Sequence, residues 1–404
     1  METGPIFRAL LHNKLGVLLI ALQIAFTMTV VINAVFIINE RSRLMARPSG
    51  LDEANIFYLS SIGFGDDYNE AVTIADDLAL LRNTPGIVDA TVINAIPVSG
   101  SGSSTGAQLV RDPTKPSVGV ANYSVDEQAI DTMNLNLIAG EGFSAGDVSW
   151  RISGQASTVS KTVITAAMAQ EMFPELAVNE VVGKSFFVGG RDMLQVVGIV
   201  ERMQAPWPES TLVERSLMVP EVALDDFTLY MIRTAPGERD RLMVAVEELL
   251  VNSNDNRIIR ELKSLAETRE ESYRVDSAMS TILKIVIATL VFITSMGIVG
   301  LAVFSINRRR KQIGTRRALG ATQLEILRYF MLENLLITGA GVLMGAIFTL
   351  AFSIMLTTNF NLPAMTWYYT PVGMLALLLV GQVAVFGPSF GAARTEPAIA
   401  TRSV

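Results

Sequence analysis

The sequence predicts an α-helical membrane protein with four transmembrane helices and a large two-lobed α+β extracytoplasmic domain between helices 1 and 2. Three observations carry this reading. Four long apolar runs interrupt an otherwise mixed chain, residues 40–280 between the first two runs alternate strand-like and helix-like patterns, and a basic segment joins the second run to the third. The expected division is 1–39 for the N-terminal segment and first span, 40–276 for the outer domain with an inserted lobe at about 127–225, and 277–404 for the remaining spans, with an elbow at 307–330.

Residues 16–38 hold no charge over 23 positions, enough for a helix of roughly 30–35 Å that crosses a bilayer core. Residues 285–306, about 334–357 and about 371–393 repeat the pattern. The first run follows Arg8 and Lys14 as a signal peptide would. Its apolar core is too long for one, and Ile37-Ile-Asn-Glu40 is a poor cleavage site, so it reads as an anchor.

Basic residues set the expected orientation. Arg8 and Lys14 precede span one, Arg308–Lys311, Arg316 and Arg317 lie between spans two and three, and Arg394 and Arg402 follow span four. Lys and Arg are retained on the cytoplasmic side, so both termini are expected there. Arg41, Arg43 and Arg47 argue the other way, but long translocated domains tolerate such residues. Trp367-Tyr-Tyr369, in the short loop after span three, reads as an interfacial aromatic anchor for membrane lipid.

In the outer domain, strands are expected over 55–61, 87–96, 118–125, 162–165, 195–200, 228–233 and 257–260, with helices over 69–82 and 238–251. Ser99–Gly106 reads as a flexible Ser/Gly loop. Helical character from Leu265 to Asn307 predicts one continuous rod of about 60 Å feeding span two.

Chemistry is scarce. The chain has no cysteine and one histidine, His12, which leaves thiolate zinc sites and nucleophile–histidine pairs without their parts. Val182-Gly-Lys-Ser185 ends like a phosphate-binding loop, but Val178 stands where the first glycine belongs. Asp66-Asp67, Asp76-Asp77 and Asp225-Asp226 read as solvated faces, since sequence neighbours do not converge on a metal. Topology accounts for the basic cluster without nucleic acid. The chain is expected to be no enzyme by itself and to hold neither metal nor cofactor.

The elbow is more patterned than a retention signal requires. Gly314 and Gly320 punctuate it, and Thr322-Gln-Leu-Glu325 has the form of a capping box opening a long helix. Glu333 follows where it can meet water or a basic neighbour.

Lys311–Thr322 and Ile326–Leu336 together resemble the FtsX/MacB-type permeases of ABC transporters. Leu137–Phe143, Val163–Phe173, Val182–Lys184, Val196–Val200 and Gly387–Ala398 are similar to further segments of that family. The resemblance implies a permease half that pairs with a second permease, identical or paralogous, and with a cytoplasmic ABC ATPase dimer that binds the ATP and Mg. It places ATPase coupling on Ile313, Gly314, Arg316, Arg317, Ala318, Leu319, Gly320 and Ala321. Gln312 and Thr315 depart from the family pattern, which has an acid and an aliphatic residue there. The implied work is mechanotransmission in a bacterial inner membrane, exporting a peptide, antibiotic or toxin through a periplasmic adaptor and outer-membrane channel. Lipoprotein release, regulation of cell-envelope hydrolases and membrane sensing are the alternatives.

Overall fold

The computed structural model describes residues 14–394 apart from 113, 153, 190, 191, 211, 226, 361 and 362. His12, Arg8, Arg402 and the end of the closing segment lie outside these residues. Contacts divide the chain into a helical unit, Met1–Arg43 with Asp276–Val404, and a β-rich unit, Leu44–Val275.

The β-rich unit has twelve strands: β1 Ile56–Gly63, β2 Ile87–Ile93, β3 Ser103–Gln108, β4 Val118–Val125, β5 Leu137–Gly140, β6 Ser149–Ile152, β7 Lys161–Thr165, β8 Ser185–Val188, β9 Asp192–Val200, β10 Ser216–Leu224, β11 Phe227–Thr234 and β12 Arg257–Ser264. The α-helices among the described residues are α1 Lys14–Met45, α2 Glu70–Arg82, α3 Ala129–Thr132, α4 Ala166–Met172, α5 Arg239–Ser253, α6 Leu265–Ser272, α7 Arg274–Arg308, α8 Arg310–Ala318, α9 Gln323–Phe360 and α10 Tyr369–Ala393.

Strands β12, β1, β11 and β2 form an antiparallel sheet. Helices α2 and α5 cover one face, where Leu78, Leu81, Leu242 and Val246 pack on Phe57, Leu59, Tyr230 and Ile232. Asn69 caps α2 by accepting from the Val72 amide at 3.2 Å, which satisfies one orphan donor of the first turn. Strands β4, β3, β8, β9, β7 and β10 then pair in a closed ring, because β10 returns parallel to β4. Met168 and Met172 of α4 join Phe186, Val196, Ile199 and Leu217 in its core. One residue pair, Ile93 with Val125, carries the ladder between β2 and β4.

The ring draws β3 and β4 from before residue 127, so it is wider than the expected 127–225 stretch. Half of the expected Ser/Gly loop is strand β3, paired on both edges; tertiary pairing overrides its polar, glycine-containing sequence. Strand β10 escapes the sequence reading because Pro220 interrupts it, and proline reads against an interior strand.

Asp77 is no solvated residue. Its carboxylate lies 2% exposed against Arg257, itself 1% exposed, with 2.5 and 2.9 Å contacts to two guanidinium nitrogens. The Tyr230 hydroxyl donates to the same carboxylate at 2.7 Å. Burial, with the Asp77 charge beside it, holds that phenol protonated far above its usual range. Helical spacing explains the error, since Asp76 faces water and its neighbour turns inward.

The expected continuous rod is broken. Ser264 and Glu267 open α6 with a reciprocal capping box, and Tyr273 ends it by donating its amide to the Arg269 carbonyl at 3.1 Å. The Tyr273 ring is buried and its hydroxyl accepts from Gln204 at 3.0 Å. Anchoring that side chain takes precedence over helix continuity, and α7 begins afresh at Arg274.

In the helical unit, α1, α7, α9 and α10 are each long and apolar enough to cross a membrane. Glycines set their contacts. A Cβ on Gly341 would stand 2.8 Å from the Ala21 carbonyl oxygen, and one on Gly345 would stand 2.8 Å from Met28. This is close small-xxx-small approach of α9 to α1, the packing available where lipid cancels the hydrophobic drive between helices. Side-chain hydrogen bonds add to it: Thr27 with Thr294 at 2.7 Å, and Asn334 to the Gly381 carbonyl at 2.9 Å. Trp367 is 79% exposed as an interfacial anchor would be. Tyr369 instead packs edge-on against Phe36 and accepts from Asn39 at 2.7 Å. The three arginines beyond span one all have acidic partners, Arg41 with Asp276, Arg43 with Glu40 and Arg47 with Glu214.

Candidate functional site

The elbow is two helix ends built back to back. Helix α7 stops at Arg308, and Arg309 leaves helical geometry before α8 starts. Nine residues later α8 closes with a Schellman motif: Ala321 donates to the Arg316 carbonyl at 3.0 Å and Gly320 to that of Arg317 at 3.2 Å. Gly320 sits at φ +98°, which a residue without Cβ adopts at no steric cost. The capping box then opens α9: Glu325 donates its amide to the Thr322 hydroxyl at 3.3 Å, and the Thr322 amide donates to the Glu325 carboxylate at 2.8 Å. Gly314 does not punctuate the elbow; it lies buried in the middle of α8.

The eight residues expected to couple fall on two sides. Ile313 and Gly314 are buried, with Ile313 packed among Ile326, Phe330, Ala392 and Ala393. Ala321 is half-buried, and Arg317 turns back to the Ala321 carbonyl at 2.9 Å. Arg316, Ala318, Leu319 and Gly320 face outward. Leu319 is 83% exposed, an apolar knob on a basic helix. The Arg316 guanidinium also lies 5.4 Å over the Tyr329 ring, a cation–π contact.

Sequence reasoning missed the fastening of this elbow. Arg309 donates to Glu333 at 2.9 Å and to the Tyr329 hydroxyl at 3.1 Å. The expectation that Glu333 meets a basic neighbour holds. Its spacing of 24 residues from Arg309 gives no local signal of which one. Among the described residues no group of three or more His, Cys, Asp or Glu gathers as metal ligands.

Residues 284–397 match the family described as FtsX-like permease C-terminal. The chain is similar to the macrolide export ATP-binding/permease protein MacB of Escherichia coli K12, with 23% identity over 413 residues. It is similar at the same level to that of Shigella flexneri. In both cases 97% of this chain aligns, and it spans 59% of the relative's length. The periplasmic region of MacB from Actinobacillus actinomycetemcomitans covers 57% of this chain and 97% of its own, at 14% identity and a TM-score of 0.32. The extracellular domain of the transporter YknZ from Gram-positive bacteria gives 13% and 0.31, covering 50% of this chain and all of its own.

Four helices long and apolar enough to cross a membrane, a β-rich unit between the first two and a built elbow define a membrane protein with an extracytoplasmic domain. Within that class, residues 284–397 carry the FtsX-like permease match, and the chain as a whole is similar to MacB-type permeases.

Proposed function

We propose that this permease transmits ATP-driven motion from a separate cytoplasmic ABC ATPase dimer to its outer domain, in an inner membrane and with both termini cytoplasmic. The single observation behind this reading is the knob at Leu319. An exposed apolar side chain on a short helix suits insertion into an apolar groove on a partner protein. Two helix-end motifs fix the knob's position relative to α9, and the surrounding arginines add complementarity to an acidic rim.

The ATP and Mg belong to the partner, and a second permease completes the pair. The coupling surface consists of Arg316, Ala318, Leu319 and Gly320, while Ile313, Gly314, Arg317 and Ala321 support it from behind. The cargo class is a peptide, antibiotic or toxin delivered to a periplasmic adaptor and outer-membrane channel. The scarcity of strongly polar positions in the spans favours moving an outer domain over conducting cargo between helices.

The test is affinity purification of the full chain from its native membrane. The unsubstituted chain is expected to bring down a nucleotide-binding subunit with Mg-dependent ATP hydrolysis. Leu319→Asp is expected to lose that subunit while the β-rich unit keeps its thermal transition. An unsubstituted chain that carries no ATPase would sink the proposal.

A further inference from the structure

An ionisable pair inside a membrane unit is costly unless each member answers the other. Glu333 is buried on α9, and Arg309 is the one non-helical residue between α7 and α8. Both side chains line a small cavity of about 40 Å³, together with Val17, Ser305, Phe330 and Asn334. There Arg309 has Glu333 and the Tyr329 hydroxyl as hydrogen-bond partners. Tyr329 in turn carries Arg316 over its ring. The elbow is thereby tied to α9 at its first residue and again near its tip, while Ile313 packs between them.

We propose that Glu333 is the positioning residue of the elbow: by holding Arg309 inside the helical unit it fixes the angle at which α8 presents Leu319. This rests on the coupling role proposed above for its purpose, though not for its geometry. Without the carboxylate, Arg309 is a half-buried cation with a phenol for company. It leaves toward water and headgroups, and α8 then swings on the joints at Arg309 and Gly320. Force arriving at Leu319 would be spent on that swing instead of reaching α9.

The chain has no cysteine, so Thr315→Cys on α8 and Met355→Cys on α9 place two unique spin labels on exposed positions. In the full chain in lipid nanodiscs, the otherwise unsubstituted protein is expected to give one narrow distance. Glu333→Gln is expected to broaden it about twofold, since a half-buried arginine that has lost its carboxylate has water and headgroups within reach. The exchange Arg309→Glu with Glu333→Arg is expected to restore it, which a merely space-filling role would not do. Should Glu333→Gln fail to fold, Arg309→Gln supplies the same reading. An unchanged distance in the single variants, or no recovery in the exchange, overturns the inference.

A second measurement separates the two proposals. Glu333→Gln is expected to retain the co-purified ATPase, whose contact surface is intact, with hydrolysis no longer responsive to the permease. Retained ATPase with normally responsive hydrolysis overturns the positioning role in coupling. Absence of ATPase from the unsubstituted chain sinks the coupling proposal itself, and the label distances then decide the clamp alone.

Discussion

The β-rich unit and the helical unit bury charge in different ways. In the first, Arg257 and Asp77 are matched one to one, with Tyr230 and Ser253 completing the network, and it lies beneath an apolar core of packed strands and helices. In the second, Arg309 and Glu333 pair at the rim of a cavity where α7 gives way to α8, while the helices around them meet through glycines. Water drives apolar side chains together in one environment and lipid does not in the other. The β-rich unit therefore has its ion pair beneath a packed core, and the helical unit has its own at the junction between two helices.

The largest effect should come from breaking the matched pair. Asp77→Ala leaves Arg257 buried and uncompensated and is expected to cost about 3–5 kcal/mol, read as the urea midpoint of the β-rich unit in the full chain. A helical unit unaffected by the same substitution would sharpen the contrast.

A second site in the β-rich unit is not matched. Arg82 serves Asp126 at 2.7 Å, Asp89 at 3.4 Å and Glu127 at 3.7 Å. Burial pushes the Asp126 carboxyl up to about 6, with Thr91 and Arg82 only partly offsetting it, and burial raises Asp89 too. A folded value above the unfolded one means that the folded state holds the proton more tightly. The resulting stability is complete below about pH 4 and is lost as pH rises through 6. At about 1.4 kcal/mol per pH unit between the two values, Asp126 alone contributes about 3 kcal/mol across that window. Unfolding free energies at pH 4 to 7 check this, and Asp126→Asn should flatten the slope.

In the helical unit the corresponding break is steric. Gly341→Leu drives a side chain into the Ala21 backbone and is expected to cost about 1–3 kcal/mol through overpacking, seen as a lower midpoint for loss of helix in detergent. Little loss there would mean that α1 and α9 are held by something other than close approach.

The smallest effect tests the elbow's cap. Thr322→Ala removes an acceptor worth about 1 kcal/mol. Amide exchange should quicken over 323–326 and leave α8 unchanged, since α8 is closed by Gly320 rather than by Thr322.

Patterns that are local in sequence were legible without the fold. A run of uncharged residues is enough to make a membrane helix, because the bilayer sets its length and polarity. A Thr-x-x-Glu box closes within one turn, and α2 and α5 follow from their periodicity. Features that depend on distant residues were not legible. Asp77 looked solvated because its partner Arg257 lies 180 positions away. Strand β3 looked like a loop because its stability comes from β4 and β8, and the rod from 265 broke because Tyr273 is held by Gln204.

The sequence by itself determined four spans, the elbow's basic charge and its capped restart, since each is decided by residues within a few positions of one another. Only the tertiary structure decided which elbow residues face outward and that Arg309 is fastened to Glu333. Those outcomes depend on how separate helices pack, and no pattern along a single helix encodes its neighbour.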